Sequence, residues 1–196
     1  MTHRDAALEA LNGLALATGV AYAVLAARRN RLCWIAGGIS SASVALLAAL
    51  AKLPMQAGLN VFYVGMAVFG WWSWKRGTRE GELSIGAWPP HRHLVAAVAL
   101  TALSFVTARW LAPAGVAAWP LLDSLTTWFA LLATWLAARA KIENWLYWIV
   151  INAVTAYLFF QQRVWGMGIL SVLLVVIAVR GFVEWRRRLQ VQGVPA

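Results

Sequence analysis

Apolar residues fill the chain in seven long runs, Leu8–Ala27, Leu32–Ala51, Met55–Trp74, Leu94–Ala112, Val116–Ala138, Asn144–Phe160 and Val164–Phe182, separated by short polar connections. A helix needs about 20 predominantly apolar residues to cross a bilayer. The pattern therefore predicts seven transmembrane helices and an all-α membrane protein. The sixth run is short and needs its flanking tryptophans at the membrane interface to span.

Polar side chains interrupt these runs at helical spacing. In KIENWLYWIVINAVTAYLFFQQR, Lys141 to Arg163, the residues Trp145, Trp148, Asn152 and Thr155 stand at i, i+3, i+7 and i+10 and share one helix face. An amide without a partner in hydrocarbon costs roughly a few kcal/mol. That face should point at other helices or a cavity, leaving Ile149, Val150, Val154 and Leu158 to meet lipid. At about 1.5 Å per residue, Asn152 falls near mid-bilayer. Gln56, Asn60 and Tyr63 share a face of the third helix; Asp123, Thr127 and Thr134 share one of the fifth, with Pro120 in its first turn. Together with Asn144 these faces are the candidate lining of a cavity for a small, flat, polar ligand: Gln56, Asn60, Tyr63, Asp123, Thr127, Asn144, Trp145, Trp148 and Asn152.

The runs repeat. Displaced by 111 positions, LAAR at Leu25–Arg28 falls on LAAR at Leu136–Arg139, Trp34 on Trp145, Gly70 on Gly181, Trp74 on Trp185 and Arg76 on Arg187, without a gap. Helix one maps onto five, two onto six and three onto seven. An even shift keeps the copies parallel, related by an axis along the membrane normal, with the fourth helix as connector. The expected organisation is a first three-helix repeat over 1–76, a cytoplasmic loop and connector helix over 77–115, and a second three-helix repeat with a basic cytoplasmic tail over 116–196. Parallel repeats are a plan of secondary transporters, with the site between repeats near the midplane.

Composition supports the membrane reading and narrows the rest. Of 196 residues 62% are hydrophobic and 12% charged, too little polar surface for a soluble domain of this size. No short apolar run near the start is followed by a cleavage pattern, so an uncleaved chain without a signal peptide is expected. The formal charge of +10 sits in clusters between runs, which sets topology and argues against nucleic acid as a partner. Arg28, Arg29, Arg31, Lys75, Arg76, Arg79, Arg92, Arg139, Lys141 and Arg186–Arg188 collect on one side; only Arg4, Lys52, Arg109 and Arg163 are on the other. This places the N-terminus outside and the C-terminus in the cytoplasm.

Plainer roles account for other residues. Trp71, Trp72, Trp74, Trp110, Trp165 and Trp185 lie at helix ends, where an interfacial belt is the default; Trp145 fits belt or site equally. Gly37, Gly38, Ser40, Ser41 and Ser43 let helices approach closely. Asp123 near the outer end of its helix is expected to be solvated, and Arg180 to snorkel toward the headgroups. His91 and His93, in the loop from Gly77 to His93, lack a third ligand at metal spacing and read as solvated; no metal or cofactor is expected. The lone Cys33 reads as a packed residue. Neither an HExxH motif nor paired intramembrane carboxylates are present, so no enzyme activity is expected. No run of Asp, Glu or His at helix centres points to ion coupling.

With NVFYVGMAVFGWWSWKR at Asn60–Arg76, ENWLYWIVINAVTAYL at Glu143–Leu158 and GFVEWRR at Gly181–Arg187, nearly the whole chain resembles the PnuC family of bacterial vitamin-precursor transporters. The resemblance implies two three-helix bundles joined by the fourth helix, a 3+1+3 plan like that of SWEET sugar transporters. It also implies a homotrimer in the bacterial inner membrane, surrounded by lipid. The expected function is a facilitator for nicotinamide riboside, with thiamine or riboflavin as the alternatives, followed by trapping through a cytoplasmic kinase. By position, the substrate pocket would draw on the Asn60–Tyr63 and Glu143–Asn152 faces. Asn60, Phe69, Asn152 and Arg180 depart from the pattern expected for nicotinamide riboside carriers and bear on which vitamin is carried. A membrane scaffold or receptor without transport is the competing reading from another class.

Overall fold

The computed structural model describes residues 3–51, 54–79, 82–111 and 119–191. It holds seven α-helices among them: α1 (His3–Ala27), α2 (Cys33–Leu50), α3 (Pro54–Arg76), α4 (Pro90–Leu111), α5 (Pro120–Ala138), α6 (Asn144–Gln161) and α7 (Trp165–Val191). Five are long and apolar enough to cross a membrane. The other two, α3 and α6, have 23 and 18 residues, and their amides and tryptophans hold their hydropathy down. Of the three helices predicted to carry a polar face, α3 and α6 thus depart from simple spanning composition and α5 does not.

Element ends differ from the expected runs where polar residues continue a helix. Pro90 opens α4 at its first position, where the missing N–H costs nothing. His91, Arg92 and His93 therefore lie in a helical turn and not in the loop. Helix α7 continues through Arg186–Arg188 to Val191, with Arg188 paired to Glu184 at 3.3 Å one turn earlier. Between α3 and α4 the connection forms a small antiparallel hairpin, β1 (Thr78–Arg79) with β2 (Glu82–Leu83), pairing Thr78 with Leu83 and Arg79 with Glu82. Lys52 and the start of the fifth run, 116–118, lie outside the described residues.

The chain separates into two compact units, 1–84 with 138–140, and 85–137 with 141–196. In the first, Ser40 Oγ donates to the Ala15 carbonyl at 2.8 Å and Gly37 faces the Tyr22 ring, binding α2 to α1. Trp34 lies on Gly70 and stands edge-on to Trp74, with centroids 5.5 Å apart and planes at 88°, binding α2 to α3. In the second unit Trp145 lies on Gly181 and edge-on to Trp185, at 5.6 Å and 83°.

The turns preceding these tryptophans also match. Helix α1 is followed by Arg29 with φ of 59°, and the Asn30 N–H reaches back to the Leu25 carbonyl at 2.9 Å; α5 is followed by Ala140 with φ of 50°, and the Lys141 N–H reaches the Leu136 carbonyl at 2.9 Å. A left-handed residue with this six-to-one hydrogen bond is a Schellman stop, normally built on glycine. Here both are non-glycine. The belt reading fails for Trp74 and Trp185, which are only 2% and 0% exposed. Glycines at 70 and 181 allow an indole to lie flat on a neighbouring helix, and the second indole closes the seam. Trp72, Trp110 and Trp165 are exposed, as a belt requires.

Candidate functional site

On α3, Asn60 is buried and its amide donates to the Gln56 carbonyl at 2.9 Å, while the Gln56 side chain is exposed. Tyr63, half-buried, lies edge-on to Phe62 at 6.0 Å. On α5, Asp123 is exposed, as expected near a helix end, and Thr127 is half-buried.

The residues predicted on α6 divide into two groups. Asn144 is 1% exposed and its amide donates to the Lys141 carbonyl at 2.6 Å, closing the turn before the helix. Trp145 is committed to the seam with Gly181 and Trp185, and its buried indole N–H has no partner among the described residues. Trp148 and Asn152 are half-buried. Trp148 packs on the cluster of Ala130, Ala133 and Ile151, and the Asn152 amide donates to the Trp148 carbonyl at 2.8 Å. One N–H is used in this way; a carboxamide has a second N–H and an acceptor oxygen to offer a ligand.

A cavity of about 490 Å3 lies in the second unit against α4, α5 and α6, and none of the nine predicted residues lines it. Its walls include Leu122, Leu125, Phe129, Val150, Ile151 and Val154; Leu122 is one position from Asp123, and Ile151 one position from Asn152. A single step along a helix rotates a side chain by about 100°, so the cavity occupies the face beside the polar one.

At one part of this cavity stand three polar residues outside the nine candidates, His93, Glu143 and Tyr147, of which Glu143 opens the face expected from the family resemblance. Glu143 Oε1 accepts the Trp88 backbone N–H at 2.6 Å and lies 3.7 Å from His93 Nε2. His93 Nδ1 is 2.9 Å from the Tyr147 hydroxyl. With Nδ1 accepting from Tyr147, Nε2 faces the carboxylate beyond hydrogen-bond distance and has no hydrogen-bond partner among the described residues. Trp88 meets His93 edge-on and Trp135 at a tilt, each at 5.3 Å between centroids, and the Ile142 N–H donates to the Gly86 carbonyl at 3.0 Å. The solvated reading of His93 is therefore corrected: placing it in the first turn of α4 brings its ring to Glu143. The i, i+4 spacing of Glu143 and Tyr147 was the available signal. Among the described residues no group of three His, Cys, Asp or Glu is placed to hold a metal ion.

Comparison with known proteins adds the family. Residues 9–187 match the family described as Nicotinamide mononucleotide transporter. The nicotinamide riboside transporter PnuC of Escherichia coli is 26% identical over 153 residues, covering 65% of this chain and 64% of the relative. The riboflavin/roseoflavin transporter RibM of Streptomyces davaonensis is 24% identical over 145 residues, covering 68% and 64%. The chain thus spans somewhat under two thirds of the length of these relatives. A crystal structure of the vitamin B3 transporter PnuC superimposes with a TM-score of 0.71 at 23% identity, over 90% of this chain and 80% of that one, a likeness of fold.

Proposed function

The chain belongs to the nicotinamide mononucleotide transporter family, and on that premise we propose that it is a facilitator that carries a vitamin precursor, nicotinamide riboside, across the bacterial inner membrane. The observation that carries the reading is the half-buried face of α6, where Trp148 presents an aromatic ring and Asn152 an amide with hydrogen-bonding capacity left over. A nicotinamide ring is flat and cationic in the riboside, so stacking and cation–π attraction suit it. The ribose and carboxamide need an amide partner that both donates and accepts.

The proposed substrate contacts are Trp148 and Asn152, with Asp123, Thr127, Asn144 and the Trp145 N–H in the same unit, and Gln56, Asn60 and Tyr63 of α3 in the other unit. The repeats are 1–76 and 116–196, joined through 77–115 in a 3+1+3 plan resembling the SWEET transporters. Three copies assemble as a homotrimer, with the N-terminus outside and the C-terminus in the cytoplasm. Diffusion through the protein equilibrates the vitamin, and a cytoplasmic kinase traps it by adding charge. The likeness to RibM favours riboflavin as the second reading.

Uptake of labelled nicotinamide riboside, thiamine and riboflavin into proteoliposomes tests the proposal. Saturable entry of one vitamin that stops at equal concentration supports a facilitator. Accumulation above that level refutes uncoupled diffusion, and binding without entry favours a receptor. Enclosing the matching kinase with ATP should turn equilibration into continued uptake.

A further inference from the structure

The two copies of the Schellman turn have different surroundings. In the second copy the segment just after the turn is bonded to backbone of the 86–88 segment, with Gly86 bridged to Lys141, the Ile142 N–H on the Gly86 carbonyl and the Trp88 N–H on Glu143. In the first unit the equivalent turn borders a cavity of about 720 Å3. Its lining includes Arg29, Asn30 and Arg31 from the turn and Trp74 and Lys75 from the end of α3.

Two of the turn residues that line this space lose their charge in the second copy. Arg29 stands where the second copy has Ala140, and Arg31 where it has Ile142. Three cations from two segments border the cavity, and among the described residues no carboxylate lines it. Asn30 Oδ1 accepts the Leu32 N–H at 2.9 Å, which leaves the amide N–H groups of Asn30 to act as donors.

The neighbouring aromatics indicate the occupant. The Arg31 guanidinium lies 4.3 Å from the centre of the Trp71 ring and that of Arg76 3.6 Å from Trp72. Tryptophan and arginine together at the end of an apolar helix mark the headgroup level of a bilayer. Stacking also restricts Arg31 beside the cavity, reducing the ordering needed to bind. We propose that this cavity is a phosphate-binding site that seats the headgroup of an anionic phospholipid, with Arg31 and Lys75 as the principal cations.

Native mass spectrometry of the full chain released from micelles tests the site, with phosphatidylglycerol and phosphatidylcholine as probes. Near a membrane surface each basic residue is worth roughly a fivefold change in affinity for anionic lipid. The Arg31→Gln, Lys75→Gln double variant should therefore bind phosphatidylglycerol about 25-fold more weakly, with phosphatidylcholine unchanged. Arg186→Gln, at the repeat position of Lys75, should behave as wild type. Arg31→Lys, which keeps the charge but loses the planar stack, should fall between. Protection of the buried Cys33 from maleimide verifies that each variant is folded. Undiminished phosphatidylglycerol binding in the double variant, or equal loss of both lipids, overturns the site. Full displacement of phosphatidylglycerol by inorganic phosphate overturns the lipid assignment and makes it a site for soluble phosphate.

Discussion

Trp145 stands edge-on to Trp185, ring centroids 5.6 Å apart, in the seam between α6 and α7. The indole of Trp145 is seated where Gly181 has no Cβ; a methyl group there would lie 2.8 Å from three of its ring atoms. The same arrangement joins Trp34, Gly70 and Trp74 in the first unit. A tryptophan pair closing over a glycine is thus the local device that each half of the sequence repeats.

Substituting Gly181→Ala should overpack this seam and lower stability by about 1–3 kcal/mol. At Gly65, where an added Cβ meets nothing within 4 Å, alanine should be neutral or stabilising by roughly 0.5–1 kcal/mol because it favours helix. Thermal melts of both variants in one detergent provide the comparison. An equal response would mean that contact with Trp145 does not decide the glycine.

Replacing Trp148 or Asn152 with Ala should weaken vitamin binding by about 10–100-fold, the loss expected on removing one partner of a buried polar or stacked contact. Tryptophan-fluorescence titration with nicotinamide riboside, thiamine and riboflavin reads it, corrected for riboflavin absorbance. The variants should purify as the same oligomer. Normal affinity in both would remove this face from the substrate path.

Glu143 ties the Trp88 backbone to α6 and faces His93. Glu143→Ala leaves that N–H without its acceptor and should cost about 1–3 kcal/mol; Glu143→Gln, which keeps an acceptor oxygen, should cost less. Hydrogen exchange at residues 86–88 should accelerate in the alanine variant and change little in the glutamine variant. The same exchange rate in all three proteins would show that the carboxylate does not hold this segment.

Arg163 follows α6 with φ of 59°, and the Val164 N–H reaches the Phe159 carbonyl at 2.9 Å, a third Schellman stop. Its side chain is exposed, so Arg163→Gly removes little packing and relieves a left-handed conformation worth roughly 1 kcal/mol. A rise in melting temperature is expected.

The pattern of apolar runs located all seven helices, because a helix in a membrane satisfies its own backbone, although only five are apolar enough to cross it by composition. The spacing of Trp145, Trp148, Asn152 and Thr155 placed them on one face for an equally local reason, the 3.6-residue period. The repeat was legible in Trp34, Gly70 and Trp74 against Trp145, Gly181 and Trp185, and the packed seams give those matches their physical meaning. What tertiary structure decided is which apolar surfaces meet protein. Lipid and a packed interior are similarly apolar, so hydropathy does not separate a belt tryptophan such as Trp110, 81% exposed, from Trp185, which is enclosed. For the same reason the cavity beside Ile151 could not be read from the pattern. The pairing of His93 with Glu143 joins residues 50 positions apart in the sequence, and only the packing of α4 against the start of α6 brings the imidazole to the carboxylate.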